Sequence, residues 1–266
     1  MQMNELHAHL KSDFELHRKS RKQKHALYPA RFDVSDALVP WGVPFEGYAP
    51  VEFNAPVVLD VRTPWADPQD VSKVSHPFTS FMGEVKFNDA GRPLNPVGRT
   101  GLCGRGVLGK WGANFAVDSI LTTVNSDGLL MVLTIIRKDT GERAFPGGIV
   151  DPGEDVFTTR NRELAEELAV RESDLAQSLY ERVVWRGYVD DPRNTDNAWL
   201  ETTVVHTHLS NEVAARMDLK AGDDATDFSW VPISVETLSN FYASHGLTLF
   251  DALLKLAQSD AKLLGC

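Results

Sequence analysis

The chain has 266 residues, of which 42% are hydrophobic and 24% charged, a composition typical of a globular protein with one large or two small domains. Its formal net charge of −10 argues against a nucleic-acid surface, because phosphate backbones attract basic proteins. The presence of only two cysteines argues against a disulfide framework, and the longest apolar stretch, Leu129–Ile136, is far shorter than the roughly 20 residues that cross a bilayer. We therefore expect a cytoplasmic protein without direct membrane insertion.

The first 26 residues form a basic N-terminal arm, with six Lys/Arg against three Asp/Glu. Glu5, Asp13 and Glu15 count against a targeting peptide, which is usually poor in acidic residues. The interpretation that we favour is a solvated helical leader. The remaining chain has 21 basic and 34 acidic residues, so its net charge is more negative than that of the whole chain.

Residues 27–115 are expected to form a small, loop-rich cap lobe. Ten of the 14 prolines fall in this stretch and exclude long helices. Aromatic residues such as Trp41 and Trp65 provide enough apolar surface for a small core or for packing on a neighbour.

Residues 116–266 show strand and helix patterns in irregular alternation. Two β-rich runs around the turn Asn125–Gly128 predict a hairpin. Helical spacing follows over Asp155–Leu168, with Asp155 as the expected N-cap. Further elements are three strands and a closing helix, at Tyr180–Val189, Trp199–His208, Phe228–Pro232 and Leu247–Leu264. This order favours the α+β class.

The helix at Asp155–Leu168 carries three carboxylates on one face. Glu163, Glu166 and Glu167 stand at i, i+3 and i+4, where like charges repel one another. Clustered hard oxygens suit Mg²⁺, although a charged surface helix explains the glutamates alone equally well. A glycine loop directly before the helix, Gly147-Gly148-Ile-Val-Asp-Pro-Gly-Glu154, favours the metal platform.

This stretch resembles the signature of the Nudix superfamily. Gly148, Glu154, Arg162-Glu163-Leu164, Glu166-Glu167 and Val170 stand at the spacing of that signature, and Ala169 replaces its usual glycine. The resemblance implies a Nudix fold, a mixed β-sheet sandwiched between helices, preceded here by the cap lobe. It also implies a metal site, Mg²⁺ with Mn²⁺ as a substitute, formed by Gly148, Glu154, Glu163, Glu166 and Glu167. Arg162 would orient the glutamates, and Glu163, Glu166 and Glu167 would support attack of hydroxide on phosphorus.

Flanking motifs resemble the ADP-ribose pyrophosphatase branch of this superfamily, which includes the homologous domain of melastatin-type TRP cation channels. The motifs are Asp190–Trp199, Asn95–Gly101, Gly104–Gly106, Trp111-Gly112 and Ala221–Asp224. ADP-ribose would then be cleaved to AMP and ribose 5-phosphate in a cleft between cap lobe and core.

The expected substrate-binding residues follow from the same motifs. Asp191 and Arg193 would contact the terminal ribose or its phosphate, since Arg offers a rigid fork of donors. Asp190, Arg99, Tyr242 and His245 complete the predicted set. Tyr242 could equally be a half-buried aromatic at a helix end, and Asp190–Asn194 could be only a polar turn.

The general base is expected in a loop outside the signature. Asp224 is the first candidate and Asp223 the second, because one of two adjacent carboxylates can have a raised pKa. A simple Gly-Asp-Asp turn is the alternative.

Three functions stay open at this point. The first is an active ADP-ribose hydrolase, and the second is an ADP-ribose-binding sensor domain, partnered by the rest of a cation channel, in which hydrolysis is incidental. The third is a Nudix enzyme for another nucleotide. A cytosolic face of a channel and a mitochondrial location likewise stay open.

Overall fold

The computed structural model describes residues 2–222 and 225–264. The chain forms two compact units. Unit 1 comprises Met1–Leu10, Phe115–Arg186 and Thr202–Cys266, and unit 2 comprises Lys11–Asn114 and Gly187–Glu201. The sequence-based boundaries of arm, cap lobe and core, at residues 26/27 and 115/116, stay a prediction.

The N-terminal arm is helical, in α1 (Met3–Glu15) and α2 (Arg18–Lys22). It is not a solvated leader, because Leu6, His17, Ser20 and Arg21 are buried. Arg21 donates to the Val34 carbonyl and to Asp36, so its charge is paired inside unit 2. The basic composition of the arm concealed this burial.

The residues that follow form only short elements. Two 3₁₀ turns cover Asp36–Leu38 and Val71–Lys73, and the longest helix, α3 (Pro56–Leu59), has 4 residues. Four short strands complete the lobe, namely β1 (Val51–Asn54), β2 (Lys86–Phe87), β3 (Pro93–Leu94) and β4 (Leu102–Gly106). Strand β1 pairs with β4 in parallel and β2 with β3 in antiparallel fashion. The expected absence of long helices between residues 27 and 115 is confirmed.

A 7-stranded sheet carries the rest of the fold, in the order β11-β6-β5-β10-β9, with β7 beside β6 and β8 beside β5. Its strands are β5 (Gly112–Val124), β6 (Leu130–Arg137), β7 (Arg143–Ala144), β8 (Gly147–Ile149), β9 (Tyr180–Tyr188), β10 (Ala198–Leu209) and β11 (Ala225–Pro232). The predicted hairpin is present, since β5 and β6 pair antiparallel across a turn in which Gly128 has φ +78°. Each predicted strand is confirmed, with its ends shifted by a few residues.

Five helices accompany this sheet: α4 (Val156–Leu168), α5 (Glu172–Leu175), α6 (Asn211–Arg216), α7 (Val235–Ser239) and α8 (His245–Asp260). The closing helix ends earlier than expected, because its last turn tightens into a 3₁₀ turn at Ala261–Leu264. The α+β class is confirmed.

The core of unit 1 joins the sheet to its helices. Its buried members are Leu6, Ile120, Val132, Phe145, Val184, Val204, Leu238, Phe241, Leu249, Phe250 and Ala252. These residues come from α1, four strands and the last two helices, together with Phe145 between β7 and β8 and Phe241 between those helices, so the closing part of the chain is fixed to the sheet that holds β8. Within residues 2–222 and 225–264, no helix is long and apolar enough to cross a membrane.

Candidate active site

A single carboxylate fixes where helix α4 begins after the glycine loop. Asp155 has extended backbone angles (φ −91°, ψ 171°), and its Oδ1 accepts hydrogen bonds from Phe157 N at 2.8 Å and Thr158 N at 3.0 Å. These bonds satisfy amides that have no partner within the first helical turn. The predicted N-cap is confirmed, and α4 packs against β8.

Two glutamates of α4 lie directly on strand β8. Glu167 Oε2 accepts a hydrogen bond from Gly147 N at 2.8 Å. The Glu163 carboxylate covers Gly148 so closely that a Cβ there would lie 2.2 Å from Glu163 Oε1. Any side chain at position 148 would displace this carboxylate. Glycine is therefore required for the backbone of β8 and the Glu163 side chain to approach each other.

The guanidinium of Arg162 lies at the centre of the carboxylate cluster. Its Nε and Nη2 donate to the two oxygens of Glu154 at 2.9 and 3.0 Å. Its Nη1 donates to Glu163 at 2.8 Å and to Glu166 at 3.2 Å, and Nη2 also donates to the Ile149 carbonyl at 3.2 Å. The expected pairing of Arg162 with the glutamates is present, so one cation orients three carboxylates.

These contacts favour the ionised form of Glu154. The hydrogen bonds from Arg162, followed by one from the Thr159 hydroxyl at 2.8 Å, lower the pKa of Glu154 to about 2. The same pairing raises the pKa of Arg162. Ionised carboxylate oxygens beside a backbone carbonyl are the donors that a hard divalent cation such as Mg²⁺ prefers. The chemistry of the predicted ligand set therefore fits that ion.

The C-terminal end of α4 adopts a left-handed exit. Ala169 has φ +56° and ψ +26°, a conformation that glycine adopts without the steric cost of a Cβ. Lys220 N donates to the Leu168 carbonyl at 3.1 Å and Gly222 N to the Glu167 carbonyl at 2.8 Å. A Cβ on Gly222 would lie 1.8 Å from the Glu166 carbonyl oxygen. The backbone at Gly222 therefore lies directly on the carboxylate helix.

Asp118 lies near His245 beside strand β8, and the sequence analysis did not predict a role for Asp118. Phe145 N donates to His245 Nδ1 at 3.0 Å, so the neutral ring carries its proton on Nε2, which lies 3.7 Å from Asp118 Oδ1. Asp118 pairs in register with Gly147, whose amide contacts Glu167. The available signal was a lone carboxylate within an apolar strand run. His245 is thus a hydrogen-bond donor in the neighbourhood of the cluster.

Tyr242 is buried, with 1% of its surface exposed. Its amide donates to the Arg143 carbonyl at 2.8 Å, and the Arg137 guanidinium lies 4.3 Å from its ring centroid. This environment matches the packing role that the sequence left open, and the substrate contact stays a prediction. The two candidate bases, Asp223 and Asp224, lie outside the described residues.

Unit 2 holds the other predicted substrate residues. Arg193 Nε and Nη2 donate to the two carboxylate oxygens of Asp191 at 2.9 and 2.8 Å, and its amide donates to the same carboxylate at 2.8 Å. The Asp191 side chain is 2% exposed and that of Arg193 is 25% exposed. Asp191 therefore orients Arg193, and of the two only the Arg193 side chain has appreciable exposed surface.

Asp190 and Arg99 have structural contacts instead of an open surface. Arg99 is buried, and its guanidinium donates to the carbonyls of Leu38 and Pro40 at 2.8 Å and of Val43 at 3.0 Å. Asp190 is buried and accepts hydrogen bonds from α2. These geometries favour structural roles, and the substrate contacts expected for both residues stay predictions.

Comparison with known proteins identifies the family. The family model described as "NUDIX domain" matches residues 114–247, and the model described as "NUDT9-like, N-terminal domain" matches residues 34–112. The chain is 41% identical to a Caenorhabditis elegans protein named putative nudix hydrolase 6, over 86% of this chain and 92% of that one. The chain belongs to the Nudix hydrolase family.

Two other relatives carry more specific names. The mitochondrial ADP-ribose pyrophosphatase of Rattus norvegicus is 39% identical over 84% of this chain and 75% of its own length. A transient receptor potential cation channel subfamily M member-like 2 of Nematostella vectensis is 37% identical over 86% of this chain, but the match covers 17% of the channel. A protein named as an enzyme and a protein named as a channel are therefore both similar to most of this chain.

Residues of the Nudix signature contact one another within unit 1. Gly148, Glu154, Arg162 and Glu163 are connected by direct contacts, whereas Glu167 is directed to the amide of Gly147. Across the part of the chain that the structure describes, no three His, Cys, Asp or Glu side chains already converge closely enough to hold a metal ion. Arg162 occupies the position between the carboxylates. The ligand roles of Gly148, Glu154, Glu163, Glu166 and Glu167 stay predictions.

Proposed function

We propose that this chain hydrolyses the diphosphate of ADP-ribose to AMP and ribose 5-phosphate with Mg²⁺, for which Mn²⁺ can substitute. The observation that carries the proposal is the carboxylate cluster around Arg162 on β8 and α4. Support for the substrate comes from the relative named ADP-ribose pyrophosphatase, which is 39% identical over most of this chain.

In this proposal the glutamates of α4 hold the cation. Glu163, Glu166 and Glu167 provide carboxylate oxygens, with Glu154 and the Gly148 carbonyl, while Arg162 orients the side chains. When bound, Mg²⁺ supplies positive charge that neutralises diphosphate oxygens and lowers the pKa of water.

The remaining residues bind the substrate and move a proton. His245 donates from Nε2 to a phosphate oxygen, because its Nδ1 already accepts from Phe145 N. Arg193, held by Asp191, binds the terminal phosphate or ribose. Asp224, or else Asp223, accepts the proton of the attacking water. Gly222, the residue before them in the sequence, lies against the carboxylate helix, and this supports the assignment.

The reaction is tested by incubation with ADP-ribose and Mg²⁺, followed by identification of the products. We expect AMP release, and a loss of several orders of magnitude in rate in the double variant Glu166→Gln, Glu167→Gln. Glu172→Gln is the matched control, because it removes a carboxylate from the next helix, outside the cluster. Absence of AMP from the wild-type protein would contradict the proposal.

A second candidate is a sensor domain that binds ADP-ribose with incidental hydrolysis. The similarity to the channel of Nematostella vectensis favours it. Saturable ADP-ribose binding without AMP release would support the sensor. The choice of nucleotide is tested separately with ADP-ribose, NAD, ADP-glucose and a nucleoside triphosphate, and comparable rates across these compounds would contradict the proposed substrate.

A further inference from the structure

Four consecutive carbonyls around Arg193 accept hydrogen bonds from side chains near the N-terminus. The Ser20 hydroxyl lies 2.9 Å from the Asp191 carbonyl, and the Tyr28 hydroxyl donates to the Arg193 carbonyl at 2.6 Å. Arg31 Nη2 donates to the carbonyls of residues 192 and 194 at 2.7 and 2.9 Å. Each carbonyl from residue 191 to residue 194 therefore lies within hydrogen-bond distance of a side-chain donor between Ser20 and Arg31. The single Ser20 proton is shared between the Asp191 carbonyl and Asp190.

The residue before these carbonyls is bound to the same segment. The Asp190 carboxylate accepts hydrogen bonds from Lys19 N at 2.9 Å and Ser20 N at 2.7 Å, and the Ser20 hydroxyl lies 2.7 Å from Asp190 Oδ1. Ser20 and Asp190 are both buried. Because an unpaired buried carboxylate is costly, this contact opposes separation of α2 from the Asp190 backbone.

His17, which precedes α2, adds further hydrogen bonds to this network. His17 is completely buried, with Nδ1 2.9 Å from the Tyr188 hydroxyl and Nε2 3.0 Å from the Arg99 carbonyl. The same Tyr188 hydroxyl accepts from Asn194 Nδ2 at 2.9 Å. The network thus runs from the N-terminal helices through Tyr188 to the far end of the loop.

We propose that residues 17–31 act as a positioning segment that sets the loop Asp190–Asn194, and thereby the Arg193 guanidinium, for binding the phosphate or ribose of the substrate. The proposal rests on the proposed function of Arg193. The segment lies before residue 34, where the NUDT9-like match begins. The proposal gives Asp190 a positioning role, in contrast to the direct substrate contact expected from the sequence.

The test is a kinetic comparison of Tyr28→Phe and Ser20→Ala with the full-length wild type. Removing the hydroxyl contacts to the loop should raise KM for ADP-ribose about five- to tenfold with kcat changed less than about twofold. Tyr48→Phe is the matched control. Its hydroxyl is in the same unit and donates to Asp196 at 2.6 Å, outside the loop, so KM should stay within about twofold.

A double-variant comparison distinguishes positioning from general loosening of the unit. In an Arg193→Ala background, Tyr28→Phe should change KM by less than about twofold, because the guanidinium that it positions is gone. An undiminished effect in that background, or an equal effect from Tyr48→Phe, would overturn the proposal. Ser20→Ala provides an independent test through the other end of the loop if Tyr28→Phe does not fold.

Hydrogen exchange in the unliganded protein separates this proposal from the proposed function. The amides of Arg193 and Asn194 bond to Asp191 within the loop, and they should exchange at least about fivefold faster in Tyr28→Phe and Ser20→Ala than in wild type and Tyr48→Phe. Unchanged exchange would refute the positioning segment. If the wild type releases no AMP but these amides exchange faster, the proposed function fails while the segment's hold on the loop stands.

Discussion

Replacement of Arg162 by lysine keeps the positive charge but removes the planar fork. Arg162 makes two hydrogen bonds to Glu154 and one each to Glu163 and Glu166, and a lysine ammonium can satisfy only part of this set. Loss of one or two charge-assisted hydrogen bonds, at about 1.5 kcal/mol each, corresponds to a factor of about 10 to 100. We therefore expect Arg162→Lys to raise the Mg²⁺ concentration for half-maximal AMP release by that factor.

The assay is a Mg²⁺ titration of AMP release at saturating ADP-ribose, with folding checked by circular dichroism. Arg160→Lys is the matched control, since it makes the same change on the same helix. Arg160 pairs with Glu181 at 2.6 Å and not with the signature glutamates. A folded Arg162→Lys protein with a wild-type Mg²⁺ dependence, or an equal shift in Arg160→Lys, would refute the orienting role of the guanidinium.

Three further predictions concern the helix exit, the dependence on pH and the loop after α6. Ala169→Gly should raise the free energy of unfolding by about 0.5–1 kcal/mol in urea denaturation, because φ +56° is strained for alanine; an unchanged midpoint contradicts this. Burial lowers the pKa of His17 and of His206 from 6.5 to about 3, so below pH 6.5 the unfolded chain binds protons more readily and the free energy of unfolding falls as the pH drops towards 3. Asp190, whose pKa burial raises to about 6, offsets part of this loss between about pH 6 and 4, and a melting temperature that stays constant from pH 7 to 4 would count against these directions. Gly222→Ala should lower kcat at least about tenfold, since the new methyl would lie 1.8 Å from a carbonyl oxygen of α4; an unaltered kcat would show that this approach is not needed.

Local rules predicted the parts of the fold that depend on neighbouring residues. The N-cap at Asp155, the turn at Gly128 and the carboxylate face of α4 all follow from spacing and backbone preference within a few residues. The signature was recognisable for the same reason, because its glycines and glutamates are adjacent in the chain as well as in space.

Contacts between distant residues were not predictable in this way. Asp118 meets Gly147 only through strand register, and Ser20 meets Asp190 across 170 positions of sequence. Arg99 was expected to bind an anion because it stands among glycines, yet its Nη1 and Nη2 donate to carbonyls of residues 38–43. Composition cannot indicate which partner satisfies a buried cation, since carbonyl acceptors occur at every residue.

The pairing of Arg162 with Glu154, Glu163 and Glu166 means that the protein contains a counter-ion for its own acidic cluster. Arg162 offsets part of the repulsion among the carboxylates within the polypeptide, so we expect the fold not to depend on an added cation. Treatment with a chelator should therefore stop turnover and leave the melting transition nearly in place, and added Mg²⁺ should restore activity without a refolding step.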